Sequence, residues 1–108
     1  MTDKTIDPGR DDQALREELL GQTGTVEWHE MEVHFARGML IRVAPELDLI
    51  DVAMHMVRDR KELIDAWAKE SKVVRVNDED ALRWHDQKPT MQALVVPPWV
   101  LVQEVARA

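Results

Sequence analysis

Cysteine is missing from all 108 residues. That one absence removes a disulfide framework, a thiolate metal site and a cysteine nucleophile together. It also suits a reducing compartment, so a cytoplasmic location is the expectation. Serine occurs only at Ser71, flanked by Lys69 and Lys72 and outside any Gly-x-Ser-x-Gly elbow. A helix-terminal serine among solubilising lysines is favoured over a Ser–Lys dyad. Gly21, Gly24 and Gly38 compose neither a phosphate-binding loop nor a dinucleotide fingerprint. No apolar run approaches the roughly 18 residues that a membrane-spanning helix needs. The first residues carry Asp3, Asp7, Asp11 and Asp12 without an apolar stretch, which fits neither a signal peptide nor a membrane anchor.

What is present fits a globular chain. A hydrophobic fraction of 44% with 32% charged residues is too apolar for a disordered segment, and a chain of this size buries about two thirds of its surface in one core. The expectation is a mobile tail over 1–10, holding Pro8 and Gly9, and a single domain over 11–108. The net charge of −7 is unevenly distributed. Residues 1–57 hold five Lys/Arg against twelve Asp/Glu, whereas 58–75 hold six against four. An acidic body with one mildly basic segment repels a phosphate backbone over most of its surface, so nucleic acid is disfavoured as a partner.

Helical spacing of Ala14, Leu15, Leu19 and Leu20 predicts a first helix, with acidic Asp11 and Asp12 at its start and Gly21 near its end. Trp28, Met31, Phe35 and Met39 predict a second over 26–37, with Thr25 as its cap and Gly38 as its left-handed terminus. Met39–Ala44 reads as a strand, and Pro45 fits the first position of a third helix over 46–58. That helix is apolar around most of its circumference, leaving Asp48, Asp51, His55 and Arg58 as a polar stripe. Asp59 suits the cap of a fourth helix over 60–70, with Leu63, Ile64 and Trp67 as its apolar face. Val73–Val76 is a short strand, and Asn77 or Asp78 opens a fifth helix that stops before Pro89. Met91–Val96 and Trp99–Val102 form a terminal strand pair broken by Pro97 and Pro98. The fold class is α+β, about five short helices on a small three- to four-stranded sheet. The order of the middle helices and strands is loosely that of a winged helix, with the fifth helix against it.

Phe35-Ala-Arg-Gly38, Leu47-Asp-Leu-Ile-Asp-Val-Ala53, Ala66-Trp67 and above all Pro98-Trp-Val-Leu-Val-Gln103 resemble domain-of-unknown-function family 2288, over about Leu15 to Glu104. The resemblance implies a small cytosolic bacterial protein. It brings no activity, cofactor or catalytic residue with it.

Two constellations remain as candidate sites. Glu30 with His34, and Asp51 with His55, are carboxylate–imidazole pairs spaced by four on helices, so each pair faces one way. Brought together, they could hold a divalent ion, although solvated pairs on polar helix faces account for the same spacing. The second is the unalternating run Trp99, Val100, Leu101, Val102, which asks for cover on both strand faces. Helices supply one side. The other is supplied within the monomer or by a second chain, so these four residues are the candidate interface of an interaction domain. Its partner is an unidentified protein or a second copy of the chain. A metal-dependent enzyme and a winged-helix-like nucleic-acid-binding regulator are the alternatives.

Overall fold

A computed structural model describes residues 11–105. The tail expected over 1–10 lies outside the described residues. Short polar side chains start three of the helices as anticipated by their chemistry. Asp11 accepts the Ala14 N–H at 2.9 Å at the head of α1 (Asp12–Gln22), and Asp48 accepts the Ile50 N–H at 2.9 Å at the head of α3 (Leu49–Val57). Asn77 accepts the Asp80 N–H at 2.8 Å to open α5 (Asp78–Gln87).

Three boundaries differ from expectation. Thr25 caps nothing: Gly24–Val26 is a strand, β1, and α2 (Trp28–Ala36) begins after Glu27, whose N–H donates to the Glu30 carboxylate at 2.7 Å. Pro45 lies in a turn closed by the Leu47 N–H on the Ala44 carbonyl at 3.0 Å, and α3 starts three residues later than predicted. Asp59 does not cap α4 (Lys61–Lys69) but terminates α3 in the left-handed conformation, with φ of 57°. Gly38 (φ 71°) and Ser71 (φ 60°) do the same for α2 and α4. At each of the three helix ends the next N–H returns to the carbonyl five residues back: Met39 to His34, Arg60 to His55 and Lys72 to Trp67.

The remaining strands are β2 (Leu40–Val43), β3 (Val73–Arg75), β4 (Met91–Val96) and β5 (Trp99–Glu104). With β1 they form one five-stranded sheet in the order β1-β4-β5-β2-β3, in which only β2 and β5 run parallel. The sheet thus has one strand more than expected, because three residues read as the start of a helix pair with β4.

Alternation along these strands separates two cores. On one face Ile41, Val43, Leu94 and Leu101 meet α1 and α3 through Leu15, Leu19, Val52 and Ala53. On the other, Leu40, Met91, Val100 and Val102 meet α2 and α5 through Trp28, Met31 and Trp84. The fold is therefore α+β with helices on both faces. A winged helix is not formed, because α2 is separated from α3 by the sheet.

This arrangement explains the unalternating terminal run and supplies its cover within the chain, one of the two alternatives that the run left open. β5 is the central strand, paired with β4 and β2, and Val100, Leu101 and Val102 are buried within the chain from both sides. No helix among the described residues is long and apolar enough to cross a membrane.

Candidate interaction site

The four candidate metal ligands do not converge. Glu30 and His34 ride on α2 and Asp51 and His55 on α3, on opposite faces of the sheet. Glu30, Asp51 and His55 are engaged locally instead. Glu30 holds the start of α2. Asp51 lies 3.6 Å from Arg16 and 3.8 Å from His55 Nε2. The His55 Nδ1 is 3.2 Å from the Arg60 guanidinium, and its ring meets Trp67 edge-on at 5.6 Å. His55 therefore fastens the start of α4 to α3. Among the described residues no group of three histidines and carboxylates is placed to hold a metal ion.

Of the four candidate interface residues, Trp99 alone remains partly exposed. It sits where the β4–β5 hairpin turns through Pro97 and Pro98, on the sheet face that also carries Ile41 and Arg75. There a groove of about 600 Å³ opens between the hairpin, β3 and α4. Trp99, Val96, Ile41, Ile64, Ala68 and Met56 supply its apolar lining, with Asp59, Lys61, Asp65 and Arg75 among its charged members. The α4 wall carries the apolar face of Leu63, Ile64 and Trp67 that its spacing predicts. None of its nine residues is buried, although its apolar and polar residues are well segregated. A helix of that pattern ordinarily buries its apolar stripe; here the stripe is only partly covered.

Arg75 frames the groove. Its guanidinium lies 5.2 Å from the centre of the Trp99 ring, a cation–π contact that the register makes possible. Arg75 pairs with Ile41 on β2, and Ile41 with Leu101 on β5, next to Trp99.

Two further features escaped the sequence reading. Asp80 is only 2% exposed and is met by Arg42 at 2.7 Å and Arg83 at 3.2 Å. Arg83 also reaches Glu104 at 3.3 Å, and Arg42 donates to the Ser71 carbonyl at 3.1 Å. This network fastens α5 and the α4–β3 turn to the sheet. A charged residue inside the apolar strand 39–44 was its one sequence signal. The second is a cleft of about 420 Å³ where the start of α2 meets the end of α5, lined by His29, His85, Glu32, Lys88 and Trp28. His29 lies 3.3 Å from Glu27, with both side chains well exposed, so the pair is solvated and weak.

Ser71 is the left-handed terminus of α4, a structural position, and its carbonyl is held by Arg42.

Comparison with known proteins agrees with this architecture. No curated protein matches the chain. The solution NMR structure of PA1075 from Pseudomonas aeruginosa is similar, with a TM-score of 0.77 and 35% identity over 92% of each chain. A family model described as "Protein of unknown function (DUF2288)" matches residues 14–104, nearly the whole of the described fold, and the chain belongs to that family.

Proposed function

We propose that this protein is a non-enzymatic cytosolic interaction domain that takes an apolar segment of a protein partner in the groove between α4 and the terminal hairpin. The observation that carries the reading is the half-buried Trp99 on a groove whose α4 wall buries none of its residues. Large aromatic rings in such positions dominate the energetics of protein contacts. The absence of cysteine supports the cytosolic setting. A homodimer through the faces of the β5 residues Val100, Leu101 and Val102 is not part of the reading, because these side chains are buried within the chain.

Panning a displayed random-peptide library over the folded chain tests this, with a Trp99→Ala/Ile64→Glu variant as counter-selection. Peptides should be enriched on the native chain and lost on the variant. Enrichment of peptides that bind both alike, or of none, overturns the reading.

A further inference from the structure

The charged groups that line the groove balance: Asp59 and Asp65 stand against Lys61 and Arg75. Lys61 lies 4.0 Å from Asp59 with both side chains well exposed, a solvated pair of small energetic weight. Asp65 and Arg75 remain. Neither has an ion-pair partner among the described residues, and Arg75 meets the Trp99 ring instead. The two stand on different walls, Asp65 on α4 and Arg75 on β3. Apolar surface accompanies both: Ile64 and Ala68 share one side of α4 at a spacing of four, and Trp99 and Val96 belong to the hairpin. One face of the molecule thus presents a partly covered amphipathic helix beside a groove of the kind that such helices fill, with an unpaired carboxylate on the helix and an unpaired guanidinium on the strand.

From that face we infer that the occupant of the groove is a second copy of this chain. About a two-fold axis, α4 of each copy lies along the groove of the other, and Asp65 of each meets the partner's Arg75. The inference rests on the interaction reading above and names its partner. A two-fold contact needs a surface that is its own complement, so that whatever one copy offers the other receives. This surface offers both the helix and the groove, and both signs of charge in equal number. A segment bearing charge of one sign leaves either the carboxylates or the cations unmatched, whereas a second copy matches both. Stacking on the Trp99 indole holds the planar Arg75 guanidinium at the groove, where a carboxylate can take two of its N–H groups together. The chain's net charge of −7 does not oppose the contact. The rim itself is balanced, and exposed charges beyond about 8 Å are largely screened at physiological ionic strength.

Analytical ultracentrifugation from micromolar to millimolar concentration tests the inference. The native chain should pass from the monomer to twice its mass, and Ile64→Glu should hold it monomeric. Asp65→Arg and Arg75→Asp each set like charges against one another at both symmetry-related contacts. Each variant alone should therefore self-associate at least about ten-fold more weakly, which is about 1.4 kcal/mol. Mixed in equal amounts, the two variants should recover the native association, because a mixed dimer restores opposite charges at both contacts. A contact made within one chain cannot produce that recovery. Both side chains are exposed, so the circular dichroism of each variant should match that of the native chain. A strict monomer at every concentration overturns the inference, and the library selection, scored on Trp99 and Ile64, decides the groove separately. A dimer that Ile64→Glu or both charge variants leave intact places the contact elsewhere and overturns it as well, as does a mixture of the two variants that stays monomeric.

Discussion

A single guanidinium nitrogen of Arg42, Nη1, donates to both carboxylate oxygens of Asp80, at 2.7 and 2.8 Å. Asp80 occupies the first turn of α5 and is buried, whereas the Arg42 side chain on β2 keeps 24% of its exposure. Removing Asp80 takes the shared carboxylate from Arg42 and Arg83, and removing Arg42 leaves buried Asp80 with Arg83 as its remaining cation. Asp80→Ala and Arg42→Met should each cost about 3–5 kcal/mol in urea denaturation, the range for a broken buried pair. The double variant should lose clearly less than the sum of the two. Strict additivity would show that the two side chains do not stabilise one another.

Left-handed residues at helix ends offer the opposite sign. Ser71 adopts φ of 60° with a side chain that this region disfavours. Ser71→Gly should raise stability by about 0.5–1 kcal/mol, and Gly38→Ala, at φ of 71°, should lower it by about 1–2 kcal/mol. Nothing stands within 4 Å of a Cβ built at Gly38, so the second effect is one of backbone conformation alone. Denaturation midpoints that move while the slope stays fixed are the readout.

Cover from both sides makes Leu101 a sensitive position. Leu101→Ala in the central strand should destabilise by about 2–5 kcal/mol. Val95→Thr, on the neighbouring strand with half of its surface exposed, should stay within about 0.5 kcal/mol of the parent. Equal losses at the two sites would contradict a sheet sealed within one chain.

For His55 the expected loss is mechanical. His55→Ala removes the contact with Trp67 and the acceptor for Arg60, and the melting temperature should fall by several degrees, corresponding to about 1 kcal/mol. Millimolar zinc should leave the parent's melting temperature unchanged. A zinc-dependent rise that disappears in the variant would restore the metal reading.

Most of the framework is legible in the chain because local chemistry dictates it. Asp11, Asn77 and Gly38 stand where polar caps and a left-handed terminus are needed, and the unalternating terminal run announces a strand buried on two faces. The misplaced boundaries share a cause. Thr25, Pro45 and Asp59 are residue types that suit two neighbouring positions equally, and tertiary pairing decides between them: Thr25 is claimed by Gln92 across β1 and β4. The Glu30/His34 and Asp51/His55 quartet fails for a different reason. Spacing fixes which way a helix presents its side chains, but not on which side of a sheet that helix will lie. The Arg42–Asp80 pair joins residues 38 apart in sequence, and periodicity carries no information across that distance. Gln103, at the end of the stretch that most resembles the family, donates to the Ala44 and Leu47 carbonyls at 2.9 and 2.6 Å, a pairing equally invisible to spacing.

Placing β5 at the centre of the sheet has a consequence for how the chain comes together. Leu40 pairs with Val100, so the middle of the sheet closes across more than half of the polypeptide, a contact of high entropic cost. On the ribosome, β1, β2, β3 and β4 are all translated before the strand that joins their two halves exists. The sheet halves β1–β4 and β2–β3 can form early only as separate, one-sided pairs. Assembly of the fold is thus gated by residues 99–104, and any lesion that delays those six residues leaves both cores open at once.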